Sequence, residues 1–164
     1  MTLDSEQLRQ AMRAWTTGVA VLTAAHTGQQ AGMTVNSFTS ISLEPPLISV
    51  TLKRLTHTHD LVEKSGEFSI TILASNQSEL SDRFAGKLSH IKDRFEGLDT
   101  ERLIIEAPLL KGGLSYFNCR VMNSMSFGEN TMFIAEVIAA AKQTDGEPLA
   151  YHNRVFWKLV SPSP

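Results

Sequence analysis

The chain has a single cysteine among its 164 residues, so it can form no intrachain disulfide, and it suits a reducing compartment. Cys119 stands inside an apolar-rich stretch and reads as a small core residue rather than a nucleophile. No apolar run reaches the length of a membrane-spanning helix, and the first residues lack a basic start followed by an apolar segment. A cytoplasmic protein with no membrane partner is therefore expected. An excess of one charge is missing too. With 15 Lys and Arg against 17 Asp and Glu, and no basic cluster, the chain offers no broad surface for a phosphate backbone, which argues against nucleic acid as a partner.

Catalytic signatures are equally scarce. The G-x-G-x-x-G fingerprint and the phosphate-binding P-loop are both absent, so a bound nucleotide would be held by other means. There is no G-x-S-x-G elbow and no evident carboxylate pair. His57-x-His59 would place two imidazoles on one strand face, yet no third ligand stands at a supporting spacing, so no metal site is expected. An enzyme of this kind would leave the chemistry to a cofactor and only position it.

What is present is the composition of a folded domain, with 42% hydrophobic and 20% charged residues and no internal repeat or low-complexity block. One domain is expected over residues 1–160, followed by a short tail over 161–164. The most informative stretch is Gly32 to Leu52. Thr, Val, Ile and Phe in alternation suit a pleated surface, and Pro45-Pro46 cannot continue a central ladder, so the pattern reads strand, turn, strand. In the first run Thr34, Asn36, Ser40 and Ser42 share one parity, interrupted by Phe38. In the second, Ser49 and Thr51 point one way and Ile48, Val50 and Leu52 the other. The polar parity is either the lining of a pocket for an oxygen-rich planar ligand or a solvent-washed sheet face.

Around this stretch the chain orders simply. Asp4 followed by Gln7 and the apolar spacing of Leu8, Ala11, Met12 and Trp15 predicts a helix over 5–15, its stripe facing either core or a second subunit. A strand over 18–25 and a Thr27-Gly28 turn follow. Lys53 to Asp60 precedes a helix over 60–65 that stops at Gly66. Hydroxyls, two basic residues and a helix N-terminus together are the ingredients of an anion site, or else Thr58 or Asp60 is simply the N-cap. A strand over 68–73, a helix over 76–84 capped by Ser75 or Asn76, and a long surface loop over 87–103 come next. Strands over 114–125 and 131–142 flank a Gly128-Glu129-Asn130 turn, and residues 151–160 hold the last strand. Six or seven strands with two or three helices give a mainly β fold, a barrel or closed sheet with peripheral helices.

Five blocks then occur in one order: Gly32-Met33-Thr34-Val35-Asn36-Ser37-Phe38-Thr39-Ser40, Pro45-Pro46-Leu47, Thr58-His59-Asp60, Arg83-Phe84-Ala85-Gly86, and Pro148-Leu149-Ala150-Tyr151-His152. Over about residues 8–158 the chain resembles the short-chain flavin reductases, the reductase components of two-component flavin monooxygenases. The resemblance implies an FMN-binding split β-barrel, a homodimer with flavin near the subunit interface, NADH or NADPH as hydride donor, FMN or FAD as acceptor, and a separate oxygenase that receives the reduced flavin. It implies that Thr34, Val35, Asn36 and Ser37 meet the isoalloxazine or ribityl chain. Ser49, Thr51, Leu52 and Lys53, with Thr56 and Thr58, would meet the ribityl and phosphate groups, and Arg83, Phe84, Ala85 and Gly86 would close the site. No protein residue is expected to act as acid, base or nucleophile in the hydride transfer. Where many of these reductases carry Gly-Asp-His-Thr, this chain has Gly128-Glu129-Asn130-Thr131, so Asn130 replaces a histidine set beside the nicotinamide. His152 either helps orient that ring or is a barrel-end histidine with a hydrogen-bond partner. The alternative activity is a protein that holds FMN tightly for electron transfer or sensing, without nicotinamide turnover.

Overall fold

Period-two alternation of apolar residues builds most of what the computed structural model describes, residues 4–159. Helix α1 (Ser5–Met12) leads to the short strand β1 (Thr17–Gly18) and the hairpin of β2 (Ala20–His26) and β3 (Gln29–Val35). Next come β4 (Thr39–Ser42), β5 (Leu47–Lys53), helix α2 (His57–Ser65), β6 (Glu67–Ile72) and helix α3 (Ser78–Phe84). A strap with the two-residue strands β7 (Thr100–Glu101) and β8 (Leu109–Leu110) follows. The long hairpin of β9 (Ser115–Phe127) and β10 (Asn130–Lys142) and the small one of β11 (Ala150–His152) and β12 (Val155–Trp157) complete the order. None of these helices is long and apolar enough to cross a membrane.

Seven strands form one antiparallel sheet in the order β3-β2-β6-β9-β10-β5-β4. Its two edges, β3 and β4, are consecutive in sequence, so the sheet curls until the edges face each other, yet no ladder joins them. The barrel is split, not closed as a continuous sheet. Asn36 to Phe38 bridge the gap, and the Ser37 hydroxyl fastens the bridge to β5 by donating to Thr51 O at 2.9 Å and accepting from Thr51 N at 3.1 Å. Register shifts at residues 121–123 and 137–139 let the long β9–β10 hairpin curve around the barrel.

Two apolar clusters share the barrel wall. Ala20, Leu22 and Ala24 of β2 join Val35, Ile48, Val50, Leu52, Phe68, Ile70, Phe133 and the α2 residues Leu61 and Val62 inside the barrel. Val19 and Val21 point to the other side, where Leu73, Phe84, Phe95, Leu110 and Leu149 cover them. Burial on both faces explains why β2 reads as a continuous apolar run. Cys119 is wholly buried inside the barrel, and that burial pushes its thiol up to about 12, as expected of a packing residue.

The outward face of β6 and its neighbours carries hydroxyls and an amide that never meet water. Ser69 donates to Ala107 O at 2.8 Å, Thr23 donates to Pro108 O, and Thr71 accepts from Leu110 N at 3.1 Å. Asn118 donates to Ser69 Oγ and accepts from Ile104 N, both at 2.9 Å. These side chains pin the strap over residues 104–110 to the sheet, and all four are within 1% of full burial. Asn118→Ala would leave the Ile104 N–H and Ser69 hydroxyl without their partner, so a loss of about 2–3 kcal/mol is expected. The check is thermal unfolding, with a Tm lowered by about 4–12 °C.

Several boundaries differ from the sequence expectation. α1 stops at Met12, and residues 13–15 continue as tighter i−3 turns. Its stripe does not reach the core: Leu8, Met12 and Trp15 are exposed. The run from Gly32 breaks at Asn36, so strand, turn, strand becomes three strands. α3 begins at Ser78 with Gln77 at its N-cap, and the Gln77 amide bonds Ala74 N and Lys111 O instead of capping the helix. The expected surface loop over 87–103 buries Phe95. The last strand is two short ones turning at Asn153 and Arg154, both at positive φ. Val160 and the tail expected over 161–164 lie outside the described residues.

Candidate functional site

The N-terminus of α2 starts earlier than its hydroxyl-rich sequence implies, by two residues for a Thr58 cap and by four for an Asp60 cap. Thr56, not Thr58 or Asp60, is the N-cap: its Oγ1 accepts from His59 N at 3.3 Å and donates to Lys53 O at 2.9 Å. The N–H groups of His57 and Thr58 lie before the first intrahelical acceptor, so their positive ends remain open to a ligand. The chain enters this turn through Leu55, which is wholly exposed at φ 61. At the other end, Gly66 at φ 68 ends the helix by donating to Val62 O, as its position predicts. The helix also separates the two histidines. His57 faces the cleft, whereas His59 turns inward, with Nε2 2.8 Å from Thr131 Oγ1 and its ring against Phe133.

Beside this helix end lies a cleft of about 490 Å³, within the size range of small-molecule sites. It opens along β3, the unpaired edge of the sheet, from Gln30 to Thr34. Thr56, His57 and Thr58 form one wall. Phe84, Ala85 and residues 92–95 form the other, and Met33 adds apolar surface. Lys92 and Arg94 bring cations. The acid in this lining, Asp93, accepts from Phe95 N at 2.9 Å. The donor set therefore combines an apolar floor with an anion-favouring rim, and that fits the ring and phosphate tail of a flavin nucleotide.

A repeated triplet holds the second wall. Asp82-Arg83-Phe84 and Asp93-Arg94-Phe95 stand eleven residues apart, and each arginine bonds backbone carbonyls at or beside the other triplet. Arg83 donates to Arg94 O at 2.8 Å, to Asp93 O at 3.3 Å and to Glu96 O. Arg94 donates to Phe84 O and to Gly32 O, both at 2.9 Å, and so caps a carbonyl on the free edge of β3. The two phenylalanines meet edge to face at 5.2 Å. Gly32 is required here, since a Cβ would stand 2.7 Å from Phe84 Cε1. Lys92, Arg94 and Phe95 were absent from the sequence expectation; the repeated triplet is the signal that marks Arg94 and Phe95, and none marks Lys92.

The other expected residues divide by position. Thr34, Thr56, Thr58, Phe84 and Ala85 line the cleft, with Thr34 Oγ1 donating to Ser81 O at 2.6 Å. Asn36 lies next to it in a smaller lobe. Val35 and Leu52 turn their side chains into the core, and the Ser37 hydroxyl is engaged by Thr51. Arg83 acts on the 93–96 backbone, and Gly86, at φ 75, leaves room for the Arg94 guanidinium. Ser49, Thr51 and Lys53 lie on the outer face of β5. Asn130, at the start of β10, pairs with Lys53 and Phe127 and lines neither lobe. His152 sits apart from Asn130, with Nδ1 2.9 Å from Thr16 Oγ1 and its ring edge to face with Trp157.

A split barrel with an anion-favouring helix end beside an apolar-floored cleft is an architecture suited to a planar ring that carries a phosphate. The chain belongs to the family described as the flavin reductase like domain, whose model matches residues 12–159. It is 35% identical over 156 residues to the FMN reductase (NADH) SmoA of Agrobacterium fabrum, covering 95% of this chain and 87% of that protein. Over 153 residues it is 35% identical to the reductase component of the FADH(2)-dependent resorcinol hydroxylase of a Rhizobium species, covering 92% and 85%. Among solved structures, the styrene monooxygenase flavin reductase of Pseudomonas putida matches with a TM-score of 0.84 at 32% identity, over 96% of this chain and 99% of that one.

Proposed function

We propose that this chain is an NADH-dependent flavin reductase that reduces FMN or FAD and releases it to a separate flavin-dependent oxygenase. The observation that carries this reading is the cleft on the β3 edge, with its apolar floor beside the open N–H groups of α2. The phosphate belongs at Thr56, Thr58 and the backbone N–H groups of His57 and Thr58, where the helix dipole favours an anion. Met33, Phe84 and Ala85 offer apolar surface to the ring, and Thr34 and Asn36 stand beside it. Reduced nicotinamide gives a hydride, two electrons and one proton, to the bound flavin; a proton from solvent completes the reduction and oxidised nicotinamide leaves. The chain's residues orient the two ligands and exclude water, and none is required to carry a proton.

The reading includes a homodimer in the cytoplasm. Cross-strand register puts Phe127, Met125, Met132 and Ile134 on the same outer face as Ser49, Thr51 and Lys53. Phe127 is 60% exposed there, so a second copy would cover an apolar surface and bring Ser49, Thr51 and Lys53 into the interface. The test is anaerobic stopped-flow: protein with FMN or FAD is mixed with NADH or NADPH, and loss of the oxidised flavin band is followed. Protein-dependent reduction of excess free flavin is expected, faster with NADH. Flavin that binds but is reduced by neither nucleotide would refute the reductase reading in favour of a tight flavoprotein.

A further inference from the structure

His59 is held at both ends. Its backbone N–H donates to the Thr56 cap at 3.3 Å, and its Nε2 stands 2.8 Å from Thr131 Oγ1. Thr131 is a fixed anchor in β10, which lies between β5 and β9 in the sheet, and it faces Leu52 on one side and Ser126 on the other. Both side chains are almost fully buried, and Thr131 lines neither lobe of the cleft. Among the described residues, this is the one side-chain hydrogen bond that joins α2 to a strand not next to it in sequence. On the far side of the ring, Nδ1 is 3.6 Å from Oε2 of the exposed Glu63. A carboxylate there favours the proton on Nδ1, which leaves Nε2 to accept from the Thr131 hydroxyl.

The core packing of α2 is apolar. Leu61 and Val62 sink into the barrel, and the His59 ring rests against Phe133 with ring centres 5.5 Å apart. Such packing holds a helix on a sheet but is not directional, so it does not fix how far the first turn reaches towards the cleft. A hydrogen bond of defined length does. The pair adds little net stability in return, because two apolar side chains of similar shape would fill the space about as well. We propose that His59 is a positioning residue for the flavin phosphate, an inference that rests on the reading of the α2 N-terminus as the phosphate site. The open N–H groups belong to His57 and Thr58, the two residues immediately before it, so the bond to Thr131 sets where they stand against β3 and the cleft. His59 acts through the backbone of the first turn and not on the ligand directly. A flavin ring seated on Met33, Phe84 and Ala85 does not depend on that bond, so only a ligand that carries a phosphate senses its loss.

Fluorescence titration with FMN and with riboflavin, beside thermal unfolding, tests the assignment. Thr131→Val keeps the shape of the side chain and removes its hydroxyl at a place outside the cleft. It is expected to raise the FMN Kd about 10-fold, the worth of one charge-assisted hydrogen bond, while the riboflavin Kd stays within about twofold. His59→Leu is expected to do the same. His59→Gln, whose amide still bonds Thr131, should keep the FMN Kd within about threefold of wild type. His59→Leu/Thr131→Val removes both polar partners, so it is expected to recover most of the Tm lost by either single variant while the 10-fold loss of FMN affinity remains. An FMN affinity that recovers along with Tm in the double variant would overturn the assignment. So would FMN and riboflavin affinities that fall in step, or an unchanged FMN Kd in Thr131→Val. Wild-type protein that binds FMN no more tightly than riboflavin removes the phosphate site and the assignment together, whereas tighter binding of FMN beside unresponsive variants removes the assignment alone.

Discussion

Thr56→Asp should weaken FMN binding about 100-fold relative to Thr56→Asn, with little difference between the two variants in stability. Both replacements are good N-caps, and both offer an oxygen to His59 N in place of the threonine hydroxyl. The amide also keeps a donor for Lys53 O, which the carboxylate lacks, and the favourable interaction of a carboxylate with the helix dipole offsets part of that loss. The variants differ mainly in one negative charge at the mouth of the cleft. Two like charges about 4 Å apart near a protein surface repel by about 4 kcal/mol, and solvent exposure at this rim reduces that to about 3 kcal/mol. Riboflavin, which has the ring but no phosphate, should bind the two variants within about threefold of each other. Fluorescence titration with FMN and riboflavin checks the prediction. Equal FMN affinities would place the phosphate away from α2.

The strand pattern of this protein was largely legible because burial on one face writes itself into alternate residues. Ile48, Val50 and Leu52 are buried and Ser49 and Thr51 face outward, as their parity requires. The Thr27-Gly28 turn and the stop at Gly66 follow from backbone conformations that few residue pairs adopt cheaply. Illegible features depend on partners distant in sequence. Ser69, Thr71 and Asn118 look like solvent-facing residues of a half-exposed strand, yet a strap 38 and 39 residues from Ser69 and Thr71 and 14 from Asn118 covers them. Thr56 as N-cap competes locally with Thr58 and Asp60, and the choice is made by Thr58 being packed against the barrel, 4% exposed. Within the candidate site, Thr34, Thr56, Thr58 and Phe84 could be named from the hydroxyl pattern and the family blocks. Lys92 could not, and the repeated Asp-Arg-Phe triplet marks Arg94 and Phe95 without placing them, since only tertiary packing brings their loop to the edge of β3.

That packing yields the largest stability effect expected for a single replacement. Phe84 is 1% exposed, contacts Phe95 edge to face and lies over Gly32, so Phe84→Ala should cost about 3–5 kcal/mol and lower Tm by about 6–20 °C. The same contact can be tested from its other side. Gly32→Ala adds a methyl 2.7 Å from Phe84 Cε1 and 3.2 Å from Thr23 Cγ2, and the ring cannot withdraw because Phe95 stands behind it. Overpacking of this kind costs about 1–3 kcal/mol. In the Phe84→Ala background the ring contact is gone and only the 3.2 Å approach to Thr23 Cγ2 remains, so the cost should fall below about 1 kcal/mol, giving a favourable coupling of about 1–2 kcal/mol in the double-mutant cycle. Urea unfolding of the four proteins measures that coupling. Additive losses would mean that glycine at position 32 serves the backbone of β3 and not the seat of the Phe84 ring.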